Sequence, residues 1–254
     1  MNFIQAVAAA RRVPVAPSGI VTTNLFAYLN PGDSASYPGS GTTWYDLANS
    51  YNFTAVAGAE TGYVASPVPA MLTDGINDLW VNGSTDFQFQ PNTPFTIQFW
   101  YKHNGTLSVA IDVMANRGVL LPYSPGLVIR NRIATNVNCM QFLLGQLGGG
   151  NAMSVLSNDF VFFVNSWHLI TLSYDGTNAN GLRMFKNVTE SSTTVQLDTS
   201  APFSYPSSNM EIGGSSYQAR YTNGYFGEVL FYDRNLSASE ISQNFQATRA
   251  TYGI

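Results

Sequence analysis

The five glutamates of the chain are its first candidates for acid–base chemistry. Hydrolysis of a glycoside needs two carboxylates about 5–10 Å apart across the sugar, one of which acts as a general acid. No Glu-x-Asp or Glu-x-x-Glu spacing, which would bring a second carboxylate close along the chain, occurs in the sequence. The glutamates are isolated from one another: Glu60, Glu190, Glu211, Glu228 and Glu240. No single strand therefore offers such a pair through a glutamate.

Two histidines and one cysteine are the next candidates for catalysis or metal binding. His103 precedes an Asn-Gly pair and His168 follows a tryptophan, and neither lies near a nucleophile-elbow pattern. Cys139 is the only cysteine, so no intrachain disulfide forms, and a zinc site would have to complete its ligands from the two histidines. Because it lies in an apolar run, Cys139 is predicted to be a small buried hydrophobe.

Three oxygen-bearing side chains, Asp74, Asn77 and Asp78, lie close enough in sequence to share a calcium ion. Calcium takes 6–8 oxygen ligands, however, and this cluster supplies few of them. We expect the two aspartates to fix the turn at Asp74-Gly75 instead. No cofactor is therefore predicted, and calcium at these three residues is the alternative.

The composition indicates what kind of chain positions these side chains. Of 254 residues, 45% are hydrophobic and only 10% are charged, against roughly 25% in an average soluble domain. This composition, with a net charge of only -4, excludes disorder for most of the chain, and there is no basic excess for binding nucleic acid. No apolar stretch approaches the roughly 18 residues that span a membrane. A single domain is expected at this length.

Residues 1–24 differ from the rest and are predicted to form an N-terminal arm on a domain at 25–254. The first ten residues are mildly apolar but lack a positive n-region, so we do not interpret them as a secretory signal. Spaced prolines then favour an extended chain. An apolar stripe and an arginine pair are predicted to dock on a partner: Phe3, Ile4, Val7, Arg11 and Arg12. A frayed terminus, or a strap on the arm's own domain, is the alternative.

From residue 25 onward the sequence has the pattern of strands and turns. In the segment 95–102, apolar residues alternate with mostly polar ones, which predicts a half-buried strand. The same period recurs at 168–174 and 226–232 and, more briefly, at 107–114 and 126–130. Six pairs that tolerate positive φ predict tight turns: Asp74-Gly75, Asn82-Gly83, Asn104-Gly105, Asp175-Gly176, Asn180-Gly181 and Asn223-Gly224. Many short strands of this kind indicate an antiparallel sandwich or barrel.

One helix is predicted near the C-terminus, beginning at Ala238. Ser237, with Glu240 three residues later, has the spacing of a capping box. The residues that follow place one line of side chains along a single face: Ile241, Phe245, Thr248 and Tyr252. We expect this face to pack against the sandwich and to hold the chain end there.

The order of these segments resembles that of the concanavalin A-like, laminin-G-like jelly-roll domains of phage and bacterial surface proteins. LFAYL at 25–29 and SYPGSGTTWYDL at 36–47 are similar to the opening of such domains, and TDGINDLW at 73–80 to a turn and strand of theirs. FTIQFW at 95–100 and WHLITLSYDG at 167–176 resemble further strands. The closing run, GYFGEVLFYDRNLSASEI at 224–241, matches best.

The resemblance implies an all-β fold of two stacked antiparallel sheets with one short C-terminal helix. Glycosidases of this fold carry a Glu-x-Asp-x-x-Glu strand, which is absent here, so no enzymatic activity is expected. The resemblance also implies a structural role for Glu228, packing for His168, and calcium as the ion that members of the fold bind. It does not fix a function, because the fold hosts lectins, enzymes and structural domains alike.

Exposed aromatic rings would be needed for an inert domain of this kind to bind a glycan. Trp100 falls on the Thr/Gln/Lys side of its predicted strand and is the candidate for stacking on a sugar, although a second layer would cover that side. Trp44, Trp80 and Trp167 lie within the matched segments and are predicted to be core residues.

Two functions are carried forward from the sequence. The leading hypothesis is a non-enzymatic structural protein of a bacteriophage virion, a capsid decoration or a tail or fibre component. It would bind other virion proteins through its arm and be located in the particle. The alternative is an adhesion module that binds a cell-surface polysaccharide. Neither nucleic acid nor a membrane is an expected partner, and the oligomeric state, a homo-oligomer included, stays open.

Overall fold

The computed structural model describes residues 19–56, 62–105, 110–117, 124–134, 137–147, 151–159, 165–199 and 209–254. In chain order the strands of this part are β1 (Leu25–Leu29), β2 (Thr43–Trp44), β3 (Phe53–Ala55), β4 (Gly62–Val64), β5 (Ala70–Asp74), β6 (Trp80–Asn82), β7 (Phe95–His103), β8 (Ile111–Arg117), β9 (Ser124–Ala134), β10 (Val137–Leu147), β11 (Asn151–Ser157), β12 (His168–Tyr174), β13 (Leu182–Lys186), β14 (Thr189–Ser191), β15 (Thr193–Asp198), β16 (Met210–Ile212), β17 (Gly214–Ser215), β18 (Arg220–Tyr221) and β19 (Asn223–Tyr232). One α-helix, α1, spans Ala238–Thr248, and 3-10 turns lie at Thr85–Phe87, Ala179–Gly181 and Arg249–Tyr252.

The strands form two large antiparallel sheets and one small ribbon. Sheet 1 has eight strands in the order β14-β13-β12-β7-β19-β5-β4, with β1 pairing with β19 as well. Sheet 2 has nine strands in the order β15-β11-β10-β9-β8-β16-β6-β3-β2. Strands β17 and β18 form the ribbon. The predicted antiparallel sandwich is confirmed.

The core lies between the inner faces of the two sheets and is rich in aromatic rings. From β7, Phe95, Ile97, Phe99 and Tyr101 enter this core, as the alternation along the strand predicts. Sheet 2 contributes Trp44 and Trp80, fully buried and in edge contact with ring centroids 5.7 Å apart. The prediction that Trp44, Trp80 and Trp167 are buried is confirmed.

Strand β7 is buried on both faces, so the prediction of a half-buried strand is wrong. The reason is a third layer, since α1 and the turn after it lie over the outer face of sheet 1. Gln98 donates a hydrogen bond to Thr171 and accepts one from Asn244 of the helix, both at 2.8 Å. Thr96 and Gln98, two of the polar residues that alternate along β7, are therefore buried and hydrogen-bonded and do not face water.

The helix begins and packs as the sequence predicts. Ser237 accepts a hydrogen bond from the Glu240 backbone and Glu240 caps the Ser237 backbone in return, which completes the capping box. Ile241, Phe245 and Thr248 are buried on its inner face, and Tyr252 follows on the adjoining 3-10 turn. The helix therefore fastens the end of the chain to sheet 1.

The packed body includes residues that precede the predicted boundary at residue 25. Ile20 and Val21 are buried in a cluster with Leu230 and Ile241, under the start of α1. The Val21 backbone N–H donates to the Asn244 side chain at 2.8 Å, and the Tyr232 hydroxyl donates to the Val21 carbonyl at 2.9 Å. The last residues of the predicted arm thus pack on the helix layer.

Three of the six predicted turns contain a glycine in the left-handed region, namely Gly75, Gly105 and Gly176. The prediction of a hairpin turn at Asn223-Gly224 is wrong, because both residues lie inside β19. Glycine is needed at 224 for a different reason, since a Cβ atom there would lie 2.7 Å from the Tyr101 ring.

Candidate functional site

A cluster of polar side chains lies on the outer face of sheet 2. On β9, Leu127 and Ile129 enter the core, so Arg130 and Arg132 belong to the outer face. Neighbouring strands and the ribbon complete a set that we call the polar face: Asp112, Arg130, Arg132, Gln141, Ser154, Gln196, Glu211, Gln218 and Arg220. Its members come from seven strands and from the loop between β17 and β18.

An ion pair between Arg130 and Asp112 lies at the centre of the polar face. The Arg130 Nε atom donates to Asp112 Oδ1 at 2.9 Å, and its Nη2 atom donates to Gln218 of the ribbon at 3.2 Å. Asp112 has no exposed side-chain surface, and 11% of the Arg130 side chain is exposed. Burial lowers the pKa of Arg130 and the charge of Asp112 opposes that shift. The pair therefore holds a guanidinium in one fixed position.

Gln196 joins three strands at the other side of the polar face. Its Oε1 atom accepts from Arg132 at 2.6 Å and from Gln141 and Ser154 at 3.4 Å each. Gln141 also donates to Ser154 at 3.0 Å. Gln196 is exposed and Arg132 is half-buried, so this network reaches the surface.

A cleft of about 440 Å³ adjoins the polar face. It is lined by Val56, Asn77, Leu79, Val81, Asn209, Glu211, Ser216 and Tyr221. Ser216 donates to Glu211 through its hydroxyl and, at 2.9 Å, through its backbone N–H. Burial raises the pKa of Glu211, the Ser216 hydrogen bonds lower it, and the charge of Asp112 raises it. An aromatic ring, amides and a carboxyl group thus meet in one depression.

The sequence-predicted sugar platform is not exposed. Trp100 is fully buried, stacks on Tyr252 with ring centroids 4.1 Å apart, and donates from Nε1 to Thr248 at 2.9 Å. A ring covered on its face by Tyr252 offers no surface for a sugar. The prediction of exposure is wrong because α1 and Tyr252 cover this side of β7.

The candidate calcium residues cap a turn with their oxygens. Asp74 Oδ1 accepts from the backbone N–H groups of Ile76 and Asn77 at 2.8 and 3.3 Å, and Asp78 Oδ2 accepts from the Asp74 backbone N–H at 3.0 Å. Within the described ranges, no three His, Cys, Asp or Glu side chains are placed to hold a metal ion. The prediction that the two aspartates fix this turn is confirmed.

Both histidines and the cysteine lie in packed surroundings. The Nδ1 atom of His103 and the Tyr101 hydroxyl share a hydrogen bond of 2.9 Å. Burial lowers the pKa of His103. Burial and then the charge of Lys186 lower the pKa of His168. Cys139 is buried, as predicted, and burial raises its pKa.

Glu228 lies on β19 beneath the C-terminal turn. Its Oε2 atom accepts from the Tyr28 hydroxyl at 2.9 Å, and its backbone N–H donates to the Tyr252 hydroxyl at 2.7 Å. Burial raises the pKa of Glu228 to about 7, although the Tyr28 hydrogen bond lowers it. The side chain joins β1 to β19 and is remote from the polar face in the fold.

The predicted docking residues Phe3, Ile4, Val7, Arg11 and Arg12 lie outside the described residues. Among the helices of the described ranges, none has the length and apolar character needed to cross a membrane.

Sequence reasoning missed the polar face altogether. Its members are spread from residue 112 to residue 220, and none belongs to a motif with a fixed spacing. The one local signal is Arg130-x-Arg132, in which two cations share one side of a strand. The partners of these arginines depend on strand register, which the sequence pattern does not specify.

A family model described as the concanavalin A-like lectin/glucanases superfamily matches residues 77–242. The chain belongs to this superfamily, and its two antiparallel sheets are the superfamily's jelly-roll fold. No curated protein sequence matches the chain.

Solved structures of three proteins share this fold at low identity. Trypanosoma rangeli sialidase in complex with sialic acid is 16% identical, with a TM-score of 0.62 over 96% of this chain and 36% of that one. The binding domain of Paraclostridial Mosquitocidal Protein 1 is 14% identical, with a TM-score of 0.61 over 88% of this chain and 52% of that one. The binding domain of botulinum neurotoxin serotype G is 14% identical, with a TM-score of 0.61 over 88% of this chain and 51% of that one. This chain therefore spans about a third of the sialidase and half of each toxin domain.

Proposed function

We propose that this domain binds carbohydrate on the polar face of sheet 2. The main observation in support is a set of planar hydrogen-bonding groups that neighbouring strands hold on this face, beside a cleft of about 440 Å³. Guanidinium and amide groups donate or accept paired hydrogen bonds, and a few such groups fixed in position beside a cleft are typical of a ligand site. The fold of a lectin/glucanase superfamily supports the same reading.

The rigidity of the site supports specific binding. Arg130 is held by Asp112 on one side and by Gln218 on the other, so its free N–H groups point in a fixed direction. Gln196 is fixed by three donors. Side chains that are already ordered lose little conformational entropy when a ligand binds. Tyr221 adds an aromatic ring to the wall of the cleft.

We further propose that the domain does not hydrolyse its ligand. Each described glutamate has a structural partner: Glu190 pairs with Arg183, Glu211 with Ser216, Glu228 with Tyr28 and Glu240 with Arg234. Asp112 is buried against Arg130 and has no surface for attack on a sugar. Incubating the purified domain with its ligand should release no new reducing ends, and release that Glu211→Gln abolishes would contradict this proposal.

A glycan array with the purified chain tests binding directly. We expect retention of a defined set of saccharides and loss of that binding in Gln196→Ala and Gln218→Ala. Gln246→Ala, at an exposed position of α1, is the matched control and should bind as the parent does. Binding that both polar-face variants retain in full would place the site elsewhere.

The virion role remains a separate proposal, since the arm residues that carry it lie outside the described residues. Mass spectrometry of purified particles tests it through the copy number of this chain. Deletion of residues 1–18, which spares the buried Ile20, should then reduce incorporation, and unchanged incorporation would contradict docking through the arm.

A further inference from the structure

The polar face has a local charge opposite in sign to that of the whole chain. The chain carries a net charge of -4 with only 11 Lys and Arg residues, yet Arg130, Arg132 and Arg220 all belong to this face. Arg130 and Arg132 are two residues apart on one side of β9. Arg220 lies two residues after Gln218, which accepts a hydrogen bond from Arg130.

Only one of these three cations is neutralised by an ion pair within the described part of the chain. Asp112 pairs with Arg130, whereas Arg132 binds the neutral Gln196 and Arg220 has no carboxylate partner there. The other acidic member, Glu211, accepts hydrogen bonds from Ser216 and forms no ion pair with these arginines within the described ranges. Arg132 and Arg220 are therefore the two guanidinium groups without a carboxylate partner there.

Arg132 and Arg220 both lie close enough to Arg130 to act on its charge. Burial is the main cause that lowers the pKa of Arg130, and the charges of Arg220 and Arg132 lower it further. Like charges brought together on a partly buried surface are unfavourable until an anion joins them. Arg132 and Arg220 are half-buried, so their outer N–H groups remain accessible to such an anion.

We propose that the ligand of this face is an acidic saccharide, whose carboxylate or sulfate group binds between Arg132 and Arg220 while its hydroxyl groups contact Gln196 and Gln218. This inference rests on the proposed carbohydrate-binding function and specifies its ligand class. A guanidinium group can donate paired hydrogen bonds to two oxygens of a carboxylate or of a sulfate, so both kinds of acidic saccharide would be bound in the same way. The neighbouring amides supply the contacts that an isolated anion would not use.

Calorimetric titration with matched saccharide pairs tests the proposal. The first pair is a galacturonate oligomer and its methyl ester, and the second is chondroitin sulfate and desulfated chondroitin. We expect the acidic member of at least one pair to bind about tenfold or more tightly than its neutral or less charged partner, because a charged hydrogen bond is lost in the partner. The preferred pair distinguishes a carboxylate site from a sulfate site.

Charge-removing variants locate the anion. Arg132→Gln and Arg220→Gln should each weaken binding of the acidic oligomer by about tenfold and reduce its salt dependence. Arg249→Gln, at an exposed position after α1, removes the same charge from the opposite side of the molecule and should leave the affinity unchanged. Far-UV circular dichroism confirms that each variant is folded, and Arg220→Lys should retain part of the affinity.

The outcomes separate this inference from the function on which it rests. Equal binding of acidic and neutral partners would overturn the acidic specificity and leave carbohydrate binding intact. Failure of every saccharide to bind, here and on the array, would overturn both. Equal or tighter binding of a single-stranded DNA oligomer would show a general polyanion surface and would overturn the proposal as well.

Discussion

The two outer faces of this sandwich start from the same strand alternation and end in different states. On sheet 1, the alternate residues of β7 lie under α1, where Trp100 stacks on Tyr252 and Gln98 pairs with Asn244. On sheet 2, the alternate residues of β9 are Val128, which is buried beside Ala115 and Leu143, and then Arg130 and Arg132. The structure places no helix over these two arginines within its described ranges. A covering element turns one face into a second core, whereas the other keeps charged groups near the surface.

The polar groups of the two faces also differ in what they bind. Beneath α1, side chains of sheet 1 pair with one another and with the helix, so their hydrogen-bonding capacity is used inside the protein. On the polar face, Arg132 and Arg220 keep donors that reach the surface. Polar residues on a strand therefore indicate a binding site only when no further layer covers them.

The largest effect is expected from removing the helix contact of sheet 1. Phe245 is buried and stacks on Trp100 with ring centroids 5.9 Å apart. Phe245→Ala should lower the free energy of unfolding by about 3–5 kcal/mol, because it leaves a cavity over the indole ring. Chemical denaturation measures this loss. Gln246→Ala, the exposed neighbour, should change stability little, and an equal loss in both variants would contradict the packing.

The ion pair of sheet 2 should show the next largest effect. Asp112→Ala leaves the Arg130 guanidinium mostly buried without its carboxylate and should cost about 3 kcal/mol. The exposed pair on sheet 1, Arg183 with Glu190, has 39% and 45% of its side chains exposed, so Glu190→Ala should cost less than about 1 kcal/mol. Denaturation curves measure both losses of stability. Similar losses in the two variants would mean that burial does not make the Asp112–Arg130 pair more important for stability than the Arg183–Glu190 pair.

Much of the fold follows from local pattern, and the site does not. Alternation predicts β12 at its observed bounds, and the Ser237/Glu240 spacing predicts the start of α1. Both signals are local, since each depends on residues that are neighbours in the chain. The cover over Trp100 is missed because it depends on where a distant helix packs.

The polar face could not be predicted from the sequence for a related reason. Asp112 meets Arg130 through the pairing of β8 with β9, and Gln196 reaches Arg132 across two further strands. Register between strands is set by the whole sheet, and the hydrophobic pattern of one strand does not reveal its partner. The prediction of β9 as 126–130 also stops short of Arg132, because the polar residues after Arg130 end its apolar run.

A pH-dependent effect should follow from Glu228 beneath the covered face. Its pKa is raised from 4.5 to about 7, mainly by burial, so the folded state binds its proton more tightly than the unfolded state does. The stability that this group contributes is present below pH 4.5 and is lost as the pH rises through about 7. Between about pH 4 and pH 8, the parent should lose roughly 2–3 kcal/mol relative to Glu228→Gln.

Denaturation of both proteins at several pH values measures this difference. The hydroxyls of Tyr28 and Tyr252, which neighbour Glu228, have pKa values raised by burial and stay neutral over this range. They therefore do not contribute to the change. Parallel curves for parent and variant would show that the pKa of Glu228 is the same in the folded and unfolded states.

The smallest effect should come from one hydrogen bond inside the covered face. Thr248 accepts from the Trp100 indole at 2.9 Å and donates to the Asn244 carbonyl at 2.9 Å. Thr248→Val keeps the shape but leaves the indole N–H buried without an acceptor, which should cost about 1–2 kcal/mol. Thr251→Val, at an exposed position, should cost less than about 0.5 kcal/mol. If both valines are equally tolerated in denaturation, the outer face of sheet 1 is held by apolar contact alone, and its polar residues contribute no more to stability than surface residues do.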